Sequence, residues 1–175
     1  RDNEYYLYAP GVTHADYAEA IFSNPRFKLR EIPGIFRDKR RLWLQSPSLK
    51  KQILRDGVDL FFAGAEYFPL SLPKGITVAT TIHDVAYRAM PEAISLANSL
   101  FYNIFFPLFI RRADLFFTVS NHSKKEMMNY LGIDGNKISV IHNGIELEKF
   151  PPAKKGEKKD YILFVGTLQP RKNLV

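Results

Sequence analysis

Short runs of apolar residues recur along the chain and predict the strands of a β-sheet. Runs such as "VDLFFAG" and "DLFFTVS" place apolar side chains at successive positions, a pattern typical of strands that are covered on both faces. Strands of this kind are usually parallel. The predicted strands are Tyr5–Tyr8, Phe27–Ile32, Val58–Ala63, Ile76–His83, Asp114–Val119 and Ile138–His142.

Segments of helical character lie between the strands. Ser123 and Glu126 have the spacing of a capping box, which predicts that the last of these helices opens at Ser123. Strands that alternate with helices predict an α/β fold with a doubly wound, mostly parallel sheet and helices on both faces. Ligands of such a sheet bind beyond the carboxyl ends of its strands. The predicted helices are Asp16–Phe22, Leu49–Arg55, Ser95–Arg112 and Ser123–Leu131.

The segment Ser99–Arg112, "SLFYNIFFPLFIRR", is apolar on almost every side. It is shorter than the ~20 residues that cross a bilayer, and Pro107 interrupts it. We therefore expect a buried or partly buried helix. The alternative is a helix that lies in a membrane interface, with Arg111 and Arg112 at the lipid headgroups.

A change of composition after Phe150 marks a domain boundary. The stretch "PPAKKGEKKD", residues 151–160, is rich in Pro and Lys and predicts a linker. The next run, "YILFVG", is another buried-strand pattern, so we expect one domain at 1–150 and the first strand and helix start of a second at 161–175. The chain begins with Arg1 and shows no signal-peptide pattern, and we expect both of its ends to be cuts.

Composition and charge narrow the function classes. The absence of cysteine excludes disulfides, zinc ribbons and thiol nucleophiles, and it favours a reducing, cytoplasmic compartment. The net charge of +7 is concentrated in residues 37–55, where a single acid, Asp38, accompanies seven basic residues. These are Arg37, Lys39, Arg40, Arg41, Lys50, Lys51 and Arg55.

Three interpretations of this basic stretch stay open. A block of charge usually forms the solvated face of a helix. The stretch could instead dock on an anionic membrane or bind an anionic acceptor, through Arg37, Lys39, Arg40, Arg41, Lys50 and Lys51. Nucleic acid is the third interpretation; no aromatic stacking platform or known nucleic-acid motif accompanies the stretch, so we expect no nucleic-acid partner.

The longest apolar strand ends in "TTIHDVAY" and delivers His83 and Asp84 to its carboxyl end. An imidazole at that place can donate a hydrogen bond, accept one or carry charge near neutral pH. The alternative is structural, with His83 bonding to the backbone and Asp84 capping the next turn. We take His83 and Asp84 as the candidate catalytic residues.

Two further strand ends carry polar residues. Ser120, Asn121 and Ser123 immediately precede a predicted helix, whose N-terminus favours anions, although capping alone explains these residues. Asn143 and Gly144 tolerate positive φ and predict a tight turn beside any cleft between two domains. Ser120, Asn143 and Gly144 are therefore candidates to line such a cleft.

The last stretch, "VGTLQPRKN", has the pattern of an anion site. Gly166 and Thr167 end the predicted strand, and Pro170 suits the first turn of a helix. Arg171 and Lys172 place two cations at that helix start, where like charge costs about 0.3–1 kcal/mol each. A diphosphate bound between the helix and these side chains would offset that cost.

Several common motifs are absent from the sequence. There is no Gly-rich GxGxxG or Walker loop, no HExxH and no Asp-x-Asp pair. These motifs hold dinucleotides, triphosphates and catalytic metals. We therefore expect neither a redox cofactor nor a bound metal.

Four stretches in this order resemble the glycosyltransferases of family 4, which have the two-domain GT-B fold. They are "TIHDVAYRAMPE" (Thr81–Glu92), "ADLFFTVSNHSKKEM" (Ala113–Met127), "LGIDGNKISVIHNGIE" (Leu131–Glu146) and "YILFVGTLQPRKNL" (Tyr161–Leu174). The resemblance implies that the first domain is the acceptor-side, Rossmann-like half of a GT-B fold. It also implies sugar transfer with retention of anomeric configuration and without an obligatory metal.

The resemblance assigns roles to individual residues. His83 matches the family histidine that faces the donor sugar, with Asp84 as its support. Lys172 matches the family lysine that holds the donor diphosphate, and Arg171 assists it. Many members have Arg at the position of Thr167, so this chain departs from the family pattern at that diphosphate contact.

The partners implied by the resemblance are a nucleotide-sugar donor and a glycan or lipid-linked acceptor, as in polysaccharide biosynthesis. The location implied is cytoplasmic, including the inner face of the membrane. The family's paired glutamates and its N-terminal Gly-rich loop are absent from the chain, so we expect the chain to be inactive alone. Two alternatives stay open, a GT-B nucleotide-sugar epimerase and a non-catalytic α/β domain that binds an anionic surface.

Overall fold

The computed structural model of the protein describes residues 3–11, 23–33, 40–89, 96–150 and 160–166, together with 168, 172 and 174. Outside the described residues lie the predicted helix at 16–22, residues 151–159 of the predicted linker, and Arg37, Lys39, Thr167 and Arg171. The chain divides into two compact units, Arg1–Ile82 with Leu108–Phe117 and His83–Pro107 with Thr118–Val175.

Strands and helices alternate along the chain as predicted. The strands are β1 (Tyr5–Ala9), β2 (Phe27–Glu31), β3 (Leu60–Ala63), β4 (Thr77–Thr81), β5 (Leu115–Thr118) and β6 (Ile138–Val140). The helices are α1 (Arg40–Trp43), α2 (Pro47–Arg55), α3 (Ala86–Ala89), α4 (Leu96–Ile104), α5 (Phe106–Arg112) and α6 (Asn121–Leu131). Short 3-10 turns occupy Gly135–Lys137 and Leu147–Lys149.

The pairing of these strands confirms the predicted α/β fold. β1 pairs in parallel with β2, and Tyr5 stacks on its register partner Phe27 at 4.7 Å between ring centroids. β3 pairs in parallel with β4, and β4 in parallel with β5, where Ala79 lies opposite Leu115. The order of the larger sheet is β3-β4-β5-β6.

The prediction that the strands are buried on both faces is confirmed for β4 and is wrong for β3. The three central residues of β4, from Val78 to Thr80, are all buried. In β3 the burial alternates, and the side chains of Leu60 and Phe62 are about half exposed. Because successive strand residues point to opposite faces, both lie on a face of β3 that the described residues leave open.

Helix α2 starts two residues before the predicted position. Ser46 is in an extended conformation and accepts a hydrogen bond from the Leu49 amide at 3.4 Å, and Pro47 follows in the first turn, where its missing N–H costs nothing. Leu49 and Ile53 are fully buried. The helix ends at Arg55 and is capped by Asp56, which is followed by Gly57 with φ of 64°.

The Asp56 carboxylate joins α2 to the smaller sheet. Its side chain is 5% exposed and accepts hydrogen bonds from Tyr8 Oη (3.0 Å), Arg30 Nε (3.0 Å) and Gln52 Nε2 (3.2 Å). Burial, together with the hydrogen bond to Asp56, raises the pKa of the Tyr8 hydroxyl. One acid therefore connects β1, β2 and α2.

Arg112, at the end of α5, has a structural role and does not serve as a headgroup contact. Its guanidinium donates to the carbonyls of Leu72 (3.3 Å), Pro73 (2.8 Å) and Ile76 (2.9 Å). It also pairs with Asp114, which accepts the Val78 amide at 2.8 Å. Because the planar guanidinium has five N–H donors, this one side chain can bind three carbonyl groups of the loop before β4.

The predicted helix Ser95–Arg112 is two helices, with a break at Phe105. Pro107 lies in the first turn of α5, the place where a proline is tolerated. On α4, Leu100 and Ile104 are more than half exposed, so the expected burial is incomplete. Within the described residues, no helix combines the length and apolarity needed to span a membrane.

Helix α6 opens at Ser120, and the prediction of Ser123 as its cap is wrong. Ser120 has an extended backbone, and its Oγ accepts the Ser123 amide at 3.0 Å. Glu126, the supposed second half of the capping box, pairs with His122 at 3.4 Å. Ser120 and Ser123 are both of a residue type that caps helices. Ser120 is the cap because its backbone is still extended just after β5, as an N-cap residue requires.

Two predictions near the end of the chain fail. Tyr161–Val165 forms no strand, and Ile162 is fully exposed, because a strand needs a hydrogen-bonded neighbour and no described strand pairs with this segment. The predicted turn at Asn143-Gly144 is also absent, and Gly144 does not have positive φ. An Asn-Gly pair permits such a turn but does not impose it.

Candidate functional site

His83 and Asp84 leave β4 at its carboxyl end, as predicted. β4 ends at Thr81, and the side chains of His83 and Asp84 are both exposed. Val85, directly after them, is fully buried and anchors the segment. The Asp84 carboxylate accepts the Ala86 amide at 3.0 Å, so this side chain fixes the turn that leads into the short helix α3.

A chain of hydroxyl groups fixes the backbone of His83. Ser120 Oγ lies 3.0 Å from Ser123 Oγ, to which it donates, and Ser123 Oγ donates to the His83 carbonyl at 3.2 Å. Ser123 is 7% exposed, so water competes little for these bonds. The start of α6 therefore holds the backbone of His83, the candidate catalytic residue, in place.

His142 is a site residue that the sequence reasoning did not select. Its Nδ1 lies 3.1 Å from the Val119 carbonyl, and since a carbonyl only accepts, Nδ1 is the donor. In the neutral ring, Nε2 is then left as an acceptor. The signal was present in the sequence as a histidine that closes a predicted strand, next to Asn143.

Hydrogen bonds within the second unit connect His83 to the start of α6 and connect the residue after β6 to the last residue of β5. The His83 backbone meets Ser123, and the Ile141 amide donates to the Thr118 carbonyl at 2.8 Å. Asn143 and Gly144 follow His142 and are exposed. Ser120 and the His83 carbonyl are thus linked through the Ser123 hydroxyl, and His142 lies just after β6.

The start of α6 carries no carboxylate of its own. Its first turn contains no acidic residue, so the partial positive charge of the helix N-terminus is uncompensated within the helix. Lys124 turns away from this end and donates to the Ile138 carbonyl at 2.7 Å. The exposed ring of His122 pairs with Glu126 on the helix surface.

The predicted diphosphate residues are only partly described. Gly166 and Lys172 are exposed, and no described residue forms a hydrogen bond or ion pair with Lys172. Thr167 and Arg171 lie outside the described residues. Their assignment to a diphosphate stays a prediction.

The basic residues of the candidate membrane or acceptor patch differ in their surroundings. Lys50 is half-buried and Lys51 exposed on α2. The Arg41 guanidinium lies over the Tyr67 ring, 4.4 Å from its centroid. Arg40 opens α1. Among the described residues, no group of three or more histidines and carboxylates is arranged to hold a metal ion.

A parallel β-sheet whose strands alternate with helices along the chain has the architecture of a Rossmann-like domain. The model of one family, Glycosyltransferase Family 4, matches residues 1–149, and the chain belongs to that family. The resemblance drawn from the four sequence stretches is thereby confirmed.

Two curated relatives are glycosyltransferases. The chain is 30% identical over 94 residues to the O-antigen chain mannosyltransferase RfbU of Salmonella typhimurium (strain LT2), a match that covers 54% of the chain and 26% of that protein. It is 44% identical over 64 residues to the UDP-Gal:alpha-D-GlcNAc-diphosphoundecaprenol alpha-1,3-galactosyltransferase of Escherichia coli, which covers 30% of the chain and 16% of that protein. The matches therefore span about a quarter and about a sixth of the relatives' own lengths.

Proposed function

We propose that the protein transfers a hexosyl group from a nucleotide-sugar donor to a hydroxyl group of a glycan acceptor, with retention of anomeric configuration. In this proposal, residues 1–150 form the acceptor-side domain, 151–160 the linker and 161–175 the start of the donor-binding domain. Family membership supports the reaction class. The names of the two relatives, a mannosyltransferase and a galactosyltransferase, support a hexose as the transferred group.

The observation that carries the proposal is the position of His83. Its side chain is exposed beyond the end of β4, while Ser123 holds its backbone from the start of α6. A histidine whose backbone is held in place at the end of a strand needs little further ordering before its exposed side chain contacts a bound sugar. Asp84 supports it indirectly, since its carboxylate fixes the turn into α3.

The donor diphosphate is assigned to the last residues of the chain. Lys172 would stabilise the negative charge that builds on the leaving nucleoside diphosphate, and Arg171 would assist it. The backbone at Gly166 and Thr167 would approach the same phosphates. The proposal assigns this role to side chains and backbone of the chain and includes no obligatory metal.

The acceptor is proposed to be a glycan carried on a polyprenyl diphosphate. One relative is named for transfer to GlcNAc-diphosphoundecaprenol and the other for the O-antigen chain. Such an acceptor resides in a membrane and reacts with donors made in the cytoplasm. We therefore assign the protein to the cytoplasmic face of the membrane.

The test is product analysis with the protein that carries both domains. Purified protein is incubated with UDP- and GDP-hexoses, with and without a short lipid-diphosphate glycan, and products are identified by mass spectrometry and anomeric NMR. Acceptor-dependent transfer with the donor's anomeric configuration supports the proposal. Interconversion of nucleotide sugars without acceptor would identify an epimerase instead, and the absence of both reactions would indicate a non-catalytic domain.

A binding measurement tests the diphosphate assignment separately. Calorimetry with the nucleotide-sugar donor is run on wild type and on Lys172→Ala, with Lys74→Ala as the control because Lys74 is also an exposed lysine. Loss of one charge-assisted hydrogen bond should weaken donor binding by about tenfold or more. Equal donor affinity and equal turnover in all three proteins would remove Lys172 from the site.

A further inference from the structure

The outward face of α2 forms a continuous surface that none of the proposed chemistry uses. Residues on it are spaced by three and four positions and so lie on one side of the helix. They surround a shallow, open depression of about 480 Å³ and are Pro47, Lys50, Lys51, Leu54 and Arg55. On the opposite side of the helix, Leu49 and Ile53 are fully buried in the first unit.

This face keeps its positive charge. Lys50, Lys51 and Arg55 form no ion pair with any described residue. The adjacent acid, Asp56, does not neutralise them, because it points inward, is 5% exposed and is bound to Arg30. Three cations therefore stand on one helix face without a carboxylate among them.

The same face also carries exposed apolar residues. Leu54 is 48% exposed, although burial of a leucine is normally favourable. Pro47 is exposed at the other end of the depression. Apolar residues surrounded by cations match a surface that offers phosphate groups above a hydrocarbon layer. A soluble polyanion would use the cations and leave Leu54 in water.

We propose that the outward face of α2 docks on a bilayer surface that contains anionic phospholipid. Lys50, Lys51 and Arg55 bind the phosphate groups, with their aliphatic stems lying along the interface. Leu54 enters the boundary between headgroups and acyl chains. The docking does not depend on the transfer reaction, so failure of one proposal leaves the other to be judged by its own test.

The first experiment reverses the three positive charges of this face and compares the effect on vesicle binding with that of an equal charge reversal outside α2. Co-sedimentation is measured with vesicles of phosphatidylcholine alone and of phosphatidylcholine mixed with phosphatidylglycerol. The test variant is Lys50→Glu/Lys51→Glu/Arg55→Glu. The control is Lys125→Glu/Lys137→Glu/Arg111→Glu, which changes the net charge equally at exposed positions outside α2.

Wild type should bind the anionic vesicles and release them at high salt. Because each cation near such a surface contributes about 1 kcal/mol, the test variant should lose binding on the order of a hundredfold. The control variant should bind within a few-fold of wild type. Equal losses in the two triple variants, or equal wild-type binding to both kinds of vesicle, would overturn the proposal.

The second experiment tests the apolar contact. Leu54→Gln keeps every charge and every buried residue of α2, so it remains informative if the triple variant does not fold. It should reduce vesicle binding by about tenfold while leaving binding to dextran sulfate or duplex DNA unchanged. Unchanged vesicle binding in Leu54→Gln would show that the face binds through its charges alone and would contradict docking on lipid.

Discussion

At the scale of single residues, the hydroxyl of Ser123 does more than the sequence suggested. It accepts from Ser120 Oγ and donates to the His83 carbonyl, both within a buried environment. Removing it leaves two polar groups without that partner. The residue is therefore a positioning residue for His83, not a helix cap.

Ser123→Ala should lower the free energy of unfolding by about 1–3 kcal/mol, since buried groups lose hydrogen bonds. Ser48→Ala, which removes an exposed hydroxyl on α2, should stay within about 0.5 kcal/mol. Urea unfolding measures both. In the transfer assay, Ser123→Ala should reduce kcat with little change in KM for the donor; a purely structural serine would leave kcat unchanged in the folded protein.

Tyr8 predicts a specific dependence of stability on pH. The folded state raises its pKa, so the tyrosine contributes stability that is complete below the unfolded pKa of about 10 and is lost as the pH rises above that value. Tyr8→Phe should be less stable at neutral pH, because Asp56 loses a donor, and should lose less stability between about pH 9 and pH 11.

Urea midpoints at several alkaline pH values measure this difference between wild type and Tyr8→Phe. Tyr130→Phe is the control, since Tyr130 is about half exposed on α6. An identical alkaline slope in wild type and Tyr8→Phe would show that Tyr8 does not cause the loss.

At the scale of elements, the neighbouring residues Arg112 and Arg111 at the end of α5 allow a matched comparison of two arginines. Arg112 donates to three carbonyls of the loop before β4, whereas Arg111 is exposed. Lysine cannot reproduce the planar set of donors. Arg112→Lys should therefore cost about 1–3 kcal/mol in thermal or urea unfolding, and Arg111→Lys less than about 0.5 kcal/mol. Equal costs would assign the effect to charge instead of hydrogen-bond geometry.

Elements with a local signal were predictable, and contacts between distant residues were not. β4 and α6 follow from apolar runs and helical periodicity, which act over a few neighbouring residues. The Asp56 carboxylate is bound by Tyr8, 48 positions away, and no local pattern announces that contact. The same holds for Ser123 and the His83 carbonyl, 40 positions apart.

At the scale of the whole molecule, the carboxyl-end rule for α/β sheets located the candidate site from sequence. It selected His83 and Ser120, which the structure places at strand ends joined through Ser123. It overlooked His142, because the predicted strand included this histidine as its last residue. β6 ends at Val140, two residues earlier than predicted, and this leaves His142 beyond the strand.

The central claim is that His83 serves the proposed sugar transfer. Its most direct test is kcat for hexose transfer in wild type, His83→Ala and His122→Ala, with folding checked by circular dichroism. His122 is the matched control, an exposed histidine that pairs with Glu126 on the surface of α6. Loss of a hydrogen bond that acts at the reacting sugar should lower kcat of His83→Ala by about 100-fold and leave His122→Ala near wild type. Equal kcat values in the three folded proteins would contradict the account.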